Sequence, residues 1–199
     1  MSEMIRILCE GLATVLFTLI CTRFLCKNMK KRDFRFIPWL PYVLTGCGSA
    51  TLFLLGGLSP RTFCGIAFLF VLLYASVQDH STHEADDILS VMMLMLAVTN
   101  ISEATVLSQL LGVAIVGGVQ MLIALCGKKR MGIGGADIKL STAAALLLGF
   151  YKGVIGFMLG LLIAVVAQLI ITHRKKEQRT QPFALLPYLS VGLWIGYLI

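Results

Sequence analysis

The chain is a succession of apolar runs, near residues 4–26, 37–58, 62–78, 88–99, 104–126, 138–150, 153–172 and 182–199. Between them the longest polar stretches are only Lys27 to Arg35 and Thr172 to Gln181. A hydrocarbon core of about 30 Å is crossed by roughly 20 apolar residues in a helix, and inside it every backbone polar group must be satisfied internally. The 199 residues therefore hold six to eight spans and leave no room for an extramembrane domain. A mean hydropathy of +0.88, with 58% apolar and 14% charged residues, is far from the balance of a soluble domain. The expected fold is all-α: a polytopic membrane helical bundle of about eight transmembrane segments, forming one integral membrane domain over residues 1–199.

The formal net charge of +7 does not point to nucleic acid, because the cations are grouped in short loops between apolar runs. With the N-terminus outside and all eight runs crossing, fourteen cations fall on the inner side and three, Arg6, Arg61 and Lys152, on the outer. That bias sets the expected orientation. Cys9, Cys21, Cys26, Cys47, Cys64 and Cys126 lie in or beside apolar runs without a CxxC spacing, so neither a zinc ribbon nor a disulfide framework is indicated. The first apolar run ends in Cys26-Lys27 rather than a small-residue cleavage site, and reads as a retained anchor.

Runs 88–99 and 138–150 would be only about 18–20 Å long as helices. Read as re-entrant, they reduce the count to six and place Lys128-Lys129-Arg130 outside; the eight-span reading keeps those cations inside. Each short run follows an aspartate. Asp79 closes the stretch Phe70 to Gln78, and Asp137 closes the glycine-rich run Met131-Gly132-Ile133-Gly134-Gly135-Ala136-Asp137-Ile138-Lys139. A carboxylate at a membrane boundary is costly and marks a functional site by default. Two crossings separate the pair, so both aspartates lie on one side, in a notch that short helices leave open to water. Gly132, Gly134 and Gly135 permit irregular backbone there; a plain glycine turn is the alternative.

Two facing carboxyl groups suit peptide hydrolysis, because like charges in a tight site cannot both ionise. One keeps a proton and polarises the scissile carbonyl while the other takes a proton from water. The pair titrates as a unit, so acid and base stay unassigned. Water is the only co-reactant required, and neither a metal nor an organic cofactor is expected.

The stretch Gly134-Gly135-Ala136-Asp137-Ile138-Lys139-Leu140, followed by the small-residue helix Ser141 to Gly149, resembles the GxGD signature of type IV prepilin peptidases, a family of membrane aspartyl proteases. Asp79 with Asp87-Ile88-Leu89 downstream resembles the family's first catalytic aspartate, and Gln181 to Leu189 its closing Pro-Phe-containing segment. The resemblance implies an eight-span endopeptidase with Asp79 and Asp137 catalytic. Gly132, Gly134, Gly135, Ala136 and Lys139 would then shape the loop or contact substrate. It also implies prepilin or pseudopilin substrates, cut at the cytoplasmic face of the plasma membrane after a glycine that precedes the mature hydrophobic helix. Ala136 replaces the motif's second glycine, and Ala85-Asp86 stands where Ile-Pro is usual. The first inner loop, Lys27 to Phe36, lacks the cysteine-paired domain of bifunctional members, so methylation is not implied.

Other polar residues have plainer readings. His80 and His83 lack a third ligand at metal spacing. Asp86 and Asp87 suit a helix N-terminus. Lys139 either orients the aspartates or snorkels to the interface. Glu10 needs a polar partner within the first span, and Met92, Met93 and Met95 read as helix filler. A small transporter with Asp79 and Asp137 as a proton relay is the competing class, although no internal duplication supports it. A non-catalytic assembly partner is a third reading, needing the helices and neither aspartate.

Overall fold

The computed structural model describes residues 2–99, 106–126, 134–174 and 184–199. Gly132, the Lys128–Arg130 cluster, Lys175, Lys176, Arg179 and the first part of the Gln181–Leu189 segment lie outside them. Among the described residues all regular structure is helical: α1 (Ser2–Lys31), α2 (Leu40–Gly56), α3 (Pro60–Thr82), α4 (Asp87–Thr99), α5 (Val106–Cys126), α6 (Gly135–Arg174) and α7 (Leu186–Leu198). Segments Ile5–Lys31, Pro60–Thr82, Val106–Leu125 and Gly135–His173 are long and apolar enough to cross a membrane; α2, α4 and α7 are shorter apolar helices.

Local chemistry sets several ends. Ser59 caps α3, its side chain accepting from the Thr62 N–H, and Pro60 follows at the first helical position, where a missing N–H costs nothing. At the other end His83 adopts a left-handed conformation (φ 54°) and its N–H returns to Asp79 O at 2.9 Å. Pro41 and Pro187 open α2 and α7 in the same way.

A straight helix of 40 residues would be about 60 Å long, twice the bilayer core. α6 avoids this by breaking at Gly149, which has φ 77° and ψ −176°, a conformation that favours glycine. A Cβ placed on Gly153 would lie 3.1 Å from the Ala145 Cα, whereas eight residues of straight helix separate atoms by about 12 Å. The chain therefore doubles back, and runs 138–150 and 153–172 form the two arms of a helical hairpin. The expectation of about eight apolar helical segments is met, among the described residues, by seven helices, the sixth of which is broken.

α3 is the central helix. Half of its apolar window is buried, against about a fifth of the windows in α1, α5 and α6. Phe68, Val71, Leu72 and Ala75 of α3 pack with Leu89, Met93 and Ala97 of α4, with Leu140, Ala144 and Leu147 of the first α6 arm, and with Leu186, Leu193 and Tyr197 of α7. Val116 of α5, Phe157 of the second α6 arm and Leu189 of α7 form a second cluster. Large apolar side chains such as Leu12, Phe24, Leu54, Leu125 and Leu169 point outward, as expected of a surface that meets lipid.

Three contacts give the direction of α7 against α3. Tyr197 Oη donates to Arg61 O at 2.6 Å, Ser76 Oγ to Ser190 Oγ at 2.7 Å, and the Leu186 N–H to Asp79 Oδ2 at 3.0 Å. Residue numbers fall on one helix as they rise on the other, so the two run antiparallel. α7 also meets the second α6 arm backbone to backbone. A Cβ on Gly196 would sit 2.6 Å from Lys152 O, and one on Gly192 would collide with the Gly160 N and the Gly156 O. Small residues at such a crossing are what allow membrane helices to approach closely.

Candidate active site

The apolar run that Asp79 closes does not end the helix: α3 continues to Thr82, with Ser81 Oγ and Thr82 Oγ1 satisfied by Val77 O and Gln78 O, and His83 closes the last turn. Asp79 is thereby held within the helix and is only 6% exposed. Its Oδ2 accepts from the Leu186 N–H, and the Leu185 N–H also faces the carboxyl. Those N–H groups open α7, where orphan donors suit an acidic oxygen.

Asp137 lies in the first turn of α6 and is 8% exposed. Its side chain turns back to the Gly134 backbone N–H, while its own N–H bonds to Gly134 O at 3.0 Å. The side-chain bond is the N3 half of a capping box; Gly134 has no side chain to supply the other half. Gly134 and Gly135 do not use positive φ; among the described residues only Gly57 and Gly149 do so among glycines. Gly132, the other glycine for which irregular backbone is expected, lies outside the described residues. Gly134, Gly135 and Ala136 instead start the helix without adding bulk around the carboxyl. The Asp79 and Asp137 carboxyl groups are close enough for one to feel the charge of the other.

Residues 66–172 match the model of the type IV leader peptidase family. That match spans more than half of the chain and contains both aspartates. The chain belongs to the type IV leader peptidase family. No match was found among curated proteins or among solved structures.

Membership makes the molecule a membrane protease of the leader-peptidase kind, acting in general on prepilin-type substrates. Around the two aspartates of this leader peptidase the other polar residues sort by partner. Lys139 does not turn to them: its Nζ donates to Asp87 Oδ1 at 2.7 Å in an exposed pair. Asp86 and Asp87 stand at the N-terminus of α4, as expected, with Asp87 in its first turn, and both also form ion pairs, Asp86 Oδ2 accepting from Arg32 Nη1 at 2.7 Å. The Arg32 guanidinium, helped by a hydrogen bond from Gln78, holds the Asp86 carboxyl below the usual range. Glu10 finds its partner one turn away in Arg6 at 2.9 Å. His80 and His83 lie close enough to act electrostatically on Asp79, and among the described residues no three His, Cys, Asp or Glu side chains gather as metal ligands.

Several residues near the site drew no attention as sequence. Ser141 Oγ donates to Asp137 O at 2.6 Å and accepts from Gln120 Nε2 at 2.6 Å, tying α5 to the turn that carries the aspartate. Gln120 is 1% exposed in an apolar helix. One of two amides in an apolar run, with Gln109, was the only signal the sequence offered for it. The segment after α1 docks on α3 beside the site, with Phe34 edge-on to Tyr74 at 5.8 Å and the Arg35 N–H donating to Ser81 Oγ at 2.9 Å.

Proposed function

We propose that this family member is an aspartyl endopeptidase in which Asp79 and Asp137 activate water against the leader peptide of a prepilin or pseudopilin. The observation that carries the reading is a contrast in partners. Glu10, Asp86 and Asp87 are each neutralised by a cation. Asp79 and Asp137 are nearly buried, come from different helices, meet backbone N–H groups and share an electrostatic field. Such a pair is stable with one proton between two carboxyls.

In the proposed cycle the protonated carboxyl hydrogen-bonds the scissile carbonyl oxygen. The ionised one takes a proton from water as the water oxygen attacks the carbonyl carbon. The tetrahedral intermediate then breaks its C–N bond, and the amine leaves with a proton from the second carboxyl. The cut follows a glycine that precedes the mature hydrophobic helix. The positive-inside bias supports an active site at the cytoplasmic face of the plasma membrane. The whole chain acts as one peptidase domain.

Incubating the purified protein in vesicles with a prepilin, then sequencing the new N-terminus, tests the reading. Release of a mature chain starting just after the glycine is expected. An intact prepilin, with proton flux across the same vesicles, favours the transport reading.

A further inference from the structure

Cations on and just beyond the last turns of α1 have different surroundings. Arg32 is committed to Asp86. Arg23, Lys27 and Lys30 instead line a cavity of about 470 Å³ whose other walls include Phe36, Pro38 and Tyr42. Their spacing of four and then three residues puts all three on one face of α1. Among the described residues none of the three forms an ion pair; the pairs present use Arg6, Arg32 and Lys139. Asp33, the nearest carboxylate in sequence, does not line the cavity.

The wall opposite α1 is held in place by the chain itself. Asp33 turns through φ 56°, the Phe34 N–H returns to Met29 O at 3.2 Å, and Arg35 is pinned to Ser81. Phe36 and Pro38 follow directly and close the cavity against Tyr42 at the start of α2. From Arg23 to Lys30 the cavity runs about 10 Å along α1. That is long enough to span one polar interfacial layer, roughly 5–8 Å per leaflet.

We propose that this cavity is a binding site for the phosphate-bearing head group of an anionic phospholipid. Three unneutralised cations on one face call for an anion with several acceptor oxygens. Basic pockets at the interfacial ends of membrane helices fit that chemistry. The aromatic and proline wall adds apolar surface for the glycerol backbone and the first methylenes, which inorganic phosphate leaves uncovered. A basic peptide is disfavoured by like charge. The site is separate from the two aspartates, and its occupancy does not depend on how they act.

The test uses the full-length protein in neutral detergent, with its thermal unfolding followed as lipid is added. Phosphatidylglycerol is expected to raise the midpoint saturably, whereas phosphatidylcholine and inorganic phosphate are not. Replacing Lys27 or Lys30 by glutamine is expected to weaken the apparent affinity about fivefold each, and R23Q/K27Q/K30Q to abolish the response. K31Q, the same loss of one charge as in either single lysine variant but outside the cavity lining, should keep it. Should the triple variant not fold, the two single lysine variants carry the test. An equal response to phosphatidylcholine, or an undiminished response in the lysine variants, overturns the site. A phosphate response equal to that of phosphatidylglycerol overturns the lipid assignment in favour of a free-anion site.

Discussion

Asp79 Oδ2 accepts a 3.0 Å hydrogen bond from the backbone N–H of Leu186, so a carboxyl on α3 finishes the N-terminus of α7. The position of that carboxyl consequently depends on where α7 sits, and α7 is seated by its glycine contact with the second α6 arm. Gly192 has no room for a Cβ beside Gly160 and Gly156. Gly192→Ala is expected to destabilise the bundle by about 1–3 kcal/mol through overpacking and to reduce cleavage as the Leu186 donor moves away. Gly118, where a Cβ meets open space, serves as the control. Thermal unfolding and prepilin cleavage of Gly192→Ala and Gly118→Ala check this together.

Lys139 is paired with Asp87, with side-chain exposures of 57% and 72%. Exposed pairs contribute about 0–1 kcal/mol. Lys139→Ala should therefore retain cleavage within a few-fold of wild type, in contrast to either aspartate variant. A loss comparable with that of an aspartate variant in the same assay shows that the lysine reaches the substrate.

The Arg32–Asp86 pair has a pH signature. Because Asp86 is held below its ordinary pKa by Arg32, its contribution to stability is present above the unfolded value of about 3.9 and is lost as pH falls through the lower folded value. The contribution is small, since both side chains are exposed. The difference in unfolding midpoint between wild type and Asp86→Asn should close on acidification from neutral pH to below about 4. A difference that widens instead contradicts the ion-pair account.

Topology is open to direct labelling. Cysteines placed at positions 31, 129 and 176 in a cysteine-free background should all be blocked from an impermeant reagent applied outside the cell. Labelling at 129 restores the six-span reading and separates the two aspartates by the bilayer.

The helical class and its segments were legible because lipid leaves a chain few alternatives. Even the α6 hairpin was visible as two apolar runs around Gly149-Phe150-Tyr151-Lys152-Gly153. Helix ends were less so. Polar side chains of Ser81 and Thr82 bond back to their own helix, so a polar stretch that reads as loop carries Asp79 as part of α3. The long-range partners of the charged residues were not legible at all. Lys139 meets Asp87, and Arg32 meets Asp86, across 52 and 54 residues, and only the packed bundle brings them together. The same holds for the Leu186 N–H, a backbone donor that no side-chain motif announces.

The most direct measurement is cleavage of a prepilin by Asp79→Asn and Asp137→Asn, each purified and compared with wild type by thermal unfolding to confirm the fold. Acid–base groups of this kind contribute about 10²–10⁴ in rate, so each variant is expected to lose at least about a hundredfold while unfolding near the wild-type temperature. Either variant folding normally and cleaving at close to the wild-type rate contradicts the two-aspartate mechanism.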